Sequence, residues 1–309
     1  MTRAVAFKEW LPNRRMLRMT QSRREALAAL AFLTPNLLAF LLVTLGPTVF
    51  SFTMGFTTWN GLGWPKWSGL RNYARLVEDP LFRKSVFNTA IYTLEFVPLA
   101  VICALGLALL FNYKAPGISL VRLFFFLPFV TDMISISFVW MFIYHVRFGI
   151  LNYLFGLFSI PAQAWLGDTR WAMLAIVILS VWRWMGYYAL IILAGLQGVP
   201  QELYDAARID GANRWQSFYR ITVPLISPAL FFVVTTGIIA SFQVFEQMYI
   251  MTRGGPQDST ISIAMFLYQQ GFLFLRMGYA SAVAWVLFFI IFIVTMVNWE
   301  ARKRWVYEG

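Results

Sequence analysis

Residues 198–230 read GVPQELYDAARIDGANRWQSFYRITVPLISPAL. A proline at 200 suits the first turn of a helix, where a backbone N–H would have no intrahelical partner. Glu202 and Asp205 then lie near the positive end of that helix. Ala206 and Ala207 give it a smooth surface, and Asp210-Gly211 is a turn signal. A second short helix is predicted beyond the turn, with Phe218 and Ile221 on one face and Pro224 ending it. The stretch from Pro200 to Pro224 thus reads as two short amphipathic helices joined at Gly211, a glycine expected to let backbones approach closely. From these residues alone it fits a docking surface and an interfacial loop without a partner equally well.

What flanks this stretch is apolar. Of 309 residues, 60% are hydrophobic and 13% charged, against about 25% charged in an ordinary soluble domain. So few charges cannot cover an aqueous surface, and lipid must do so instead. Six stretches, about 29–56, 86–111, 123–146, 171–195, 225–250 and 277–299, reach the roughly 20 apolar residues that a spanning helix needs. A seventh, Ser259 to Leu275, contains Gln269, Gln270 and Gly271 and is expected as a helix lying at the interface. The first stretch follows Arg14, Arg15, Arg18, Arg23 and Arg24 but runs too long for a cleaved signal, so it reads as a retained span. The expectation is an all-α integral membrane protein of six transmembrane helices. A cytoplasmic tail occupies 1–28, the membrane domain 29–299 with a cytoplasmic loop at 198–224, and a second cytoplasmic tail 300–309.

The net charge of +11 is distributed between apolar stretches, which implies orientation in a membrane and no nucleic acid. Fifteen Lys and Arg fall on the side of the two termini and nine on the other, placing both termini in the cytoplasm by the positive-inside rule. Residues 57–85 oppose that bias with Lys66, Arg71, Arg75, Arg83 and Lys84. Cys103 is the single cysteine and His145 the single histidine, which excludes a disulfide framework and a histidine-based catalytic or metal site. No G-x-x-x-x-G-K-[ST] run occurs, so the chain has no phosphate-binding loop of its own.

Ionisable residues within spans are costly and suggest function. Asp132, after Pro128, suits the satisfaction of a broken turn, and Glu95 precedes Pro98. Arg183 and Glu246 have two open readings, as ion-pair partners of each other or as contacts to a solute. At about 100° per residue, Thr236, Gly237, Ala240, Gln243, Val244 and Gln247 share one face of the fifth span. Small and amide side chains suit a helix interface or a solute path there. Trp182, Trp184, Tyr187 and Tyr188 surround Arg183 in the middle of the fourth span. Aromatic stacking together with hydrogen-bonding groups is the chemistry that binds sugars.

Asp205-Ala206-Ala207, three residues and Gly211 resemble the cytoplasmic loop of ABC-importer permeases, whose pattern is E-A-A, three residues, G. Asp replaces Glu at 205, which keeps the charge and shortens the reach. The resemblance implies a coupling helix docked in a groove of a separate ATPase, with Glu202, Asp205, Ala206, Ala207, Asp210, Gly211, Ala212 and Phe218 at or near the contact. Trp59-Asn60, Gly69-Leu70-Arg71-Asn72-Tyr73, Phe87-Asn88-Thr89, Met251-Thr252-Arg253-Gly254-Gly255-Pro256 and Ser259-Thr260 narrow it. They resemble the first-member permease of the carbohydrate-uptake branch, the maltose- and glycerol-3-phosphate-type importers. That branch implies the type I permease fold in a bacterial or archaeal cell membrane and a substrate path through Arg183, Trp184, Tyr187, Gly237, Ala240, Ser241 and Val244. The residues themselves add Gln243 and Glu246 to that path. Implied partners are a second permease, two ATPase subunits that carry ATP-Mg, an extracytoplasmic solute-binding protein and membrane lipid, with no cofactor in this chain. Glycerol-3-phosphate or another non-sugar solute is the alternative substrate. An intramembrane enzyme would need a His/Asp/Glu constellation, and a self-sufficient carrier would have no use for the 198–224 loop.

Overall fold

A computed structural model describes residues 21–113 and 115–307. The tail expected over 1–28 lies, up to residue 20, outside the described residues, as does Lys114. Gln21–Thr53 forms a unit by itself. It consists of α1 (Gln21–Ala39), a π-helical turn (Phe40–Leu45) and the start of α2 (Gly46–Met54). Ala28–Met54 is long and apolar enough to span a membrane. Its hydroxyls turn inward, Thr34 and Thr48 each donating at 2.6 Å to a carbonyl one turn earlier, as a helix in lipid requires.

The second unit, Met54–Gly309, opens with β1 (Thr57–Thr58) and β2 (Lys66–Trp67), an antiparallel pair matching Thr57 to Trp67. Helix α3 (Arg71–Glu78) leads into α4 (Pro80–Phe111). Asp79 caps α4, its carboxylate accepting from the N–H groups of Leu81 and Phe82 at 3.0 and 3.2 Å, with Pro80 at the first helical position. This cap starts the helix six residues before the apolar stretch expected at 86.

The span expected over 123–146 is two helices, α5 (Ile118–Val130) and α6 (Met133–Ile143), bent by 102°. Thr131 is extended, and Asp132 caps α6 by accepting from the Ser135 N–H at 3.0 Å. The Asp132 reading was therefore right, while the unbroken span was not. After α7 (Ile150–Leu157), α8 (Ala172–Gln197) packs extensively on α4. Ala100, Ala104 and Ala108, one turn apart on α4, are fully buried in the same core as Ala175, Ile176, Leu179 and Ile192 of α8. Small residues at that spacing let two spans approach closely. Gly186 does the same for α5, because a Cβ there would lie 1.8 Å from the Phe125 carbonyl oxygen.

The chain then forms α9 (Gln201–Ile209), α10 (Arg214–Ser217), a π turn (Phe218–Thr222) and α11 (Val223–Phe242). Arg214–Phe242 is one apolar helix of 29 residues, so Pro224 ends nothing. The Val223 N–H bonds to the Phe218 carbonyl across the widened turn, which accommodates a proline that would disrupt a regular α turn. The expected fifth span, 225–250, instead stops at Phe242 and resumes as α12 (Glu246–Met251). The Ser259–Leu275 stretch holds α13 (Ile263–Tyr268) and a π turn (Gln269–Leu273). It is not among the helices long and apolar enough to span; Ile263, Met265, Phe266, Gln270 and Gly271 are buried against the fold, while Phe272, Leu273, Phe274 and Leu275 are exposed. Helix α14 (Met277–Arg302) closes the unit. Five helices are long and apolar enough to span, or six with the bent pair counted as one.

Two asparagines tie the loops at one end of this unit. The Asn72 amide donates to the carbonyls of Gly55 and Thr57 at 2.9 and 2.8 Å. Asn88 donates to those of Asp258 and Ile261 at 2.8 and 3.1 Å, and the Ile263 N–H donates to the Thr89 hydroxyl at 3.0 Å. Phe87-Asn88-Thr89 and the loop after Gly254-Gly255-Pro256 are therefore two halves of one junction. An Asn88→Ala variant leaves two carbonyls short of a donor and should lose about 1–3 kcal/mol, read as a lower unfolding temperature in detergent. Asn88→Gln should not recover it, since the longer side chain moves the amide.

Candidate functional site

The 198–224 loop is built by its caps. Pro200 is extended ahead of α9, and Glu202 and Arg208 occupy the first and last turns, each complementing the helix dipole. Arg208 pairs with Asp205, a solvent-exposed contact that contributes little. The helix ends where Ala212 N–H bonds to the Ala207 carbonyl at 2.8 Å and Gly211 N–H to that of Arg208 at 3.1 Å. Gly211 has φ +80 and nothing within 4 Å of a Cβ position. Its role is the left-handed backbone of this cap, not the close approach expected. Asn213 and Gln216 then form a reciprocal capping box for α10, with bonds of 2.9 and 2.8 Å. The Tyr204 and Thr222 hydroxyls meet at 2.9 Å and tie α9 to the base of the long helix.

Glu202, Asp205, Ala206, Asp210 and Gly211 are exposed; Ala207, Ala212 and Phe218 are half-buried. Four apolar side chains absent from the expected set stand beside them: Ile209 at 87% exposure, Trp215 at 71%, Tyr219 at 64% and Leu203 at 42%. Trp215 stacks on Tyr219 with centroids 6.1 Å apart. Large apolar groups exposed beside capped, polar helix ends form a patch suited to contact with a partner or a membrane. The signal was in the sequence as apolar residues off the inward face, but Ala206-Ala207 drew the reading instead.

A cavity of about 340 Å³ lies deeper, where two helix breaks meet. Its walls are Tyr92 and Phe96 of α4, Met133 of α6, Arg183 and Trp184 of α8, Ala240 and Ser241 of α11, and residues 243–247. Irregular backbone at membrane depth is tolerated where it lines such a cavity or is buried in protein. One break is Thr131-Asp132. The Arg183 guanidinium donates to the carbonyls of Phe129 and Thr131 there, at 3.4 Å each. At the other break, Gln243–Phe245, the Ser262 hydroxyl donates to the Val244 carbonyl at 2.6 Å.

Of the nine residues expected along a path, Arg183, Trp184, Ala240, Ser241, Gln243, Val244 and Glu246 line this cavity. Tyr187 and Gly237 do not. Tyr187 stacks on Phe129 at 4.2 Å, and buried Gly237 faces Tyr188 and Val97. The helical face drawn through Gln243, Val244 and Gln247 fails because α11 ends at Phe242; these residues reach the cavity through the break. No ion pair within 4 Å joins Arg183 to Glu246 among the described residues. Buried Arg183 Nε has no hydrogen-bond partner among them either. Glu95 is exposed and stands outside the cavity.

Tyr92, Phe96, Met133 and Phe245 went unseen in the sequence, and Gln247 was noted only as part of the helical face. Tyr92 lies one turn before Glu95 and Phe96 directly after it, so the polar residue had pointed to the right turn and the wrong side chain. Gln247 Nε2 donates to the Tyr92 hydroxyl at 3.2 Å and to that of Ser180 at 3.3 Å, joining α4, α8 and α12. The cavity thus offers four aromatic side chains with a guanidinium, a carboxylate, two amides and the hydroxyls of Tyr92 and Ser241. Its volume is at the lower end of ligand pockets, about 300–1,000 Å³.

Three comparisons bear on this geometry. Residues 82–303 match the family model described as binding-protein-dependent transport system inner membrane component. A Bacillus subtilis protein named as a probable ABC transporter permease, YesP, is 34% identical over 290 residues, covering 92% of this chain and 93% of that one. The lactose transport system permease LacF of Rhizobium radiobacter is 31% identical, with coverage of 88% and 93%. Among solved structures, a chain of a bacterial alginate ABC transporter, in complex with alginate pentasaccharide-bound periplasmic protein, superposes with a TM-score of 0.81. It is 19% identical and is covered over 98% of its length, against 93% of this chain.

Replacing Arg183 with Met removes the Nη2 donor of both bonds at the first break. Hydrogen exchange at residues 129–133 should then accelerate about tenfold or more, as expected when a contact of 1.4 kcal/mol is lost, with α14 unchanged.

Proposed function

Because the chain belongs to the family of binding-protein-dependent transport system inner membrane components, we propose that it forms half of the translocation pathway of an ATP-driven sugar importer. It is a multi-pass membrane protein and a transport subunit; the reading beyond that is ours. The observation that carries it is the single helix Arg214–Phe242. One end belongs to the 198–224 loop, and the other places Ala240 and Ser241 in the cavity wall. A rigid element with its ends in two sites can carry a displacement from one to the other.

In this reading Glu202, Asp205, Ala206, Ala207, Asp210, Gly211, Ala212 and Phe218, joined by Leu203, Ile209, Trp215 and Tyr219, contact a separate ATPase that holds ATP-Mg. Closure of two such ATPases pushes the loop, and the long helix moves the Gln243–Phe245 break against Trp184 and Arg183. Sugar rings stack on Tyr92, Phe96, Trp184 or Phe245, while Gln243, Glu246 and the free Nε of Arg183 supply hydrogen bonds. A second permease completes the pathway, and an extracytoplasmic solute-binding protein delivers the substrate. The majority of basic residues on the loop side supports placing both termini in the cytoplasm. Sugar as the substrate is supported by the aromatic lining and by relatives named for lactose and for trehalose/maltose transport.

The reading is tested with the complex in proteoliposomes. Gly211→Val forces a β-branched residue into a left-handed conformation, a strain of roughly 1–2 kcal/mol. It should lower solute-stimulated ATP hydrolysis at least tenfold while the chain still inserts and assembles. Trp184→Ala should lower sugar uptake with the complex intact. Uptake that persists with no ATPase subunit present would sink the proposal.

A further inference from the structure

The external-side basic residues that oppose the charge bias have a structural destination. Lys66 on β2, Arg75 on α3 and Arg276 just before α14 line one pocket of about 390 Å³ with Trp59, Trp64 and Tyr279. It sits at the N-terminal ends of α4 and α14, away from the 198–224 loop. None of the three cations is in an ion pair within 4 Å among the described residues. The Arg75 guanidinium lies 5.0 Å from the Tyr279 ring centroid, and Arg276 makes one long 3.4 Å bond to the Gln270 side chain. Asp79, to which the Tyr279 hydroxyl donates at 2.9 Å, already accepts from two N–H groups of α4. Asn72 also lines the pocket, with its amide committed to the Gly55 and Thr57 carbonyls.

We propose that this pocket binds the headgroup of an anionic phospholipid in the leaflet at that end of the spans. The lining supplies three cationic donors and no carboxylate. A sugar's hydroxyls need acceptors as well as donors, whereas a phosphodiester presents acceptors alone. The rim is apolar: Trp64 is 94% exposed, Leu62 74% and Leu275 52%. Phe272, Leu273 and Phe274 continue it, each more than half exposed. Indoles and cations at the end of a span are the side chains that sit among lipid headgroups, and apolar neighbours suit the acyl chains. A bound anion also offsets the positive charge on this side. The inference rests on the membrane-spanning reading, not on the substrate or the ATPase, so its failure would leave those untouched.

The full chain, purified with its copurifying subunits, is placed in nanodiscs of equal phosphatidylglycerol and phosphatidylcholine, released into detergent and examined by native mass spectrometry. Phosphatidylglycerol should be retained in preference to phosphatidylcholine. Lys66→Gln should lower that retention about fivefold, the share of one cation near a membrane surface, and Lys66→Gln with Arg276→Gln should lower it further. Arg71→Gln, which removes a charge from α3 outside the pocket, should leave it unchanged. Equal retention of both lipids by the native chain would overturn the proposal, as would an Arg71→Gln loss equal to that of Lys66→Gln. Displacement of the lipid by millimolar inorganic phosphate would overturn it too, marking a site for free anions.

Discussion

A main-chain carbonyl at membrane depth has no water to turn to, so every interruption of a spanning helix needs donors from a neighbouring element. Two interruptions border the central cavity, and most of the arrangement around it follows from how they are satisfied. Asp132 caps one side of the first break, and Arg183 reaches the carbonyls on the other. Ser262 takes the exposed carbonyl of the second. Arg183 joins the first break to α8, and Gln247, just beyond the second, joins α12 to α4 and α8 through the Tyr92 and Ser180 hydroxyls. Arg183 therefore serves the fold and faces the cavity at once.

The same logic runs along the ends of the spans. Asn72 and Asn88 each bridge two loop carbonyls, and the Gly211 and Asn213 caps satisfy the helix ends of the 198–224 loop. Satisfied ends make stiff ends. If the loop transmits a push, as proposed, it gains from two capped helices and a hydroxyl pair, Tyr204 with Thr222, more than from surface ion pairs such as Asp205 with Arg208.

Proline and periodicity explain where the sequence misled. Pro224 read as a terminator because proline is incompatible with a regular α turn, yet a π turn absorbs it and extends the helix to Phe242. The alternation of small and amide residues from Thr236 to Gln247 read as one face because a helix was assumed to continue through Gln243. Neither error concerns hydrophobicity, whose apolar stretches overlap each of the helices long enough to span. Both concern hydrogen bonds of particular turns, which depend on what lies alongside.

Composition alone determined that the chain lives in lipid, since 13% charged residues cannot cover a soluble surface. The apolar runs determined how many times it can cross, and Asp205-Ala206-Ala207 with Gly211 carried a resemblance to the family to which the chain belongs. These are local or additive properties, readable one segment at a time. Only the tertiary structure decided that the third span breaks at Thr131, that Asn88 holds a loop 170 residues away, and that Tyr92 and Phe245 face the same cavity as Arg183. Those are pairings across the chain. A carbonyl left open by one helix finds its donor wherever packing brings one, and no stretch of sequence names that donor in advance.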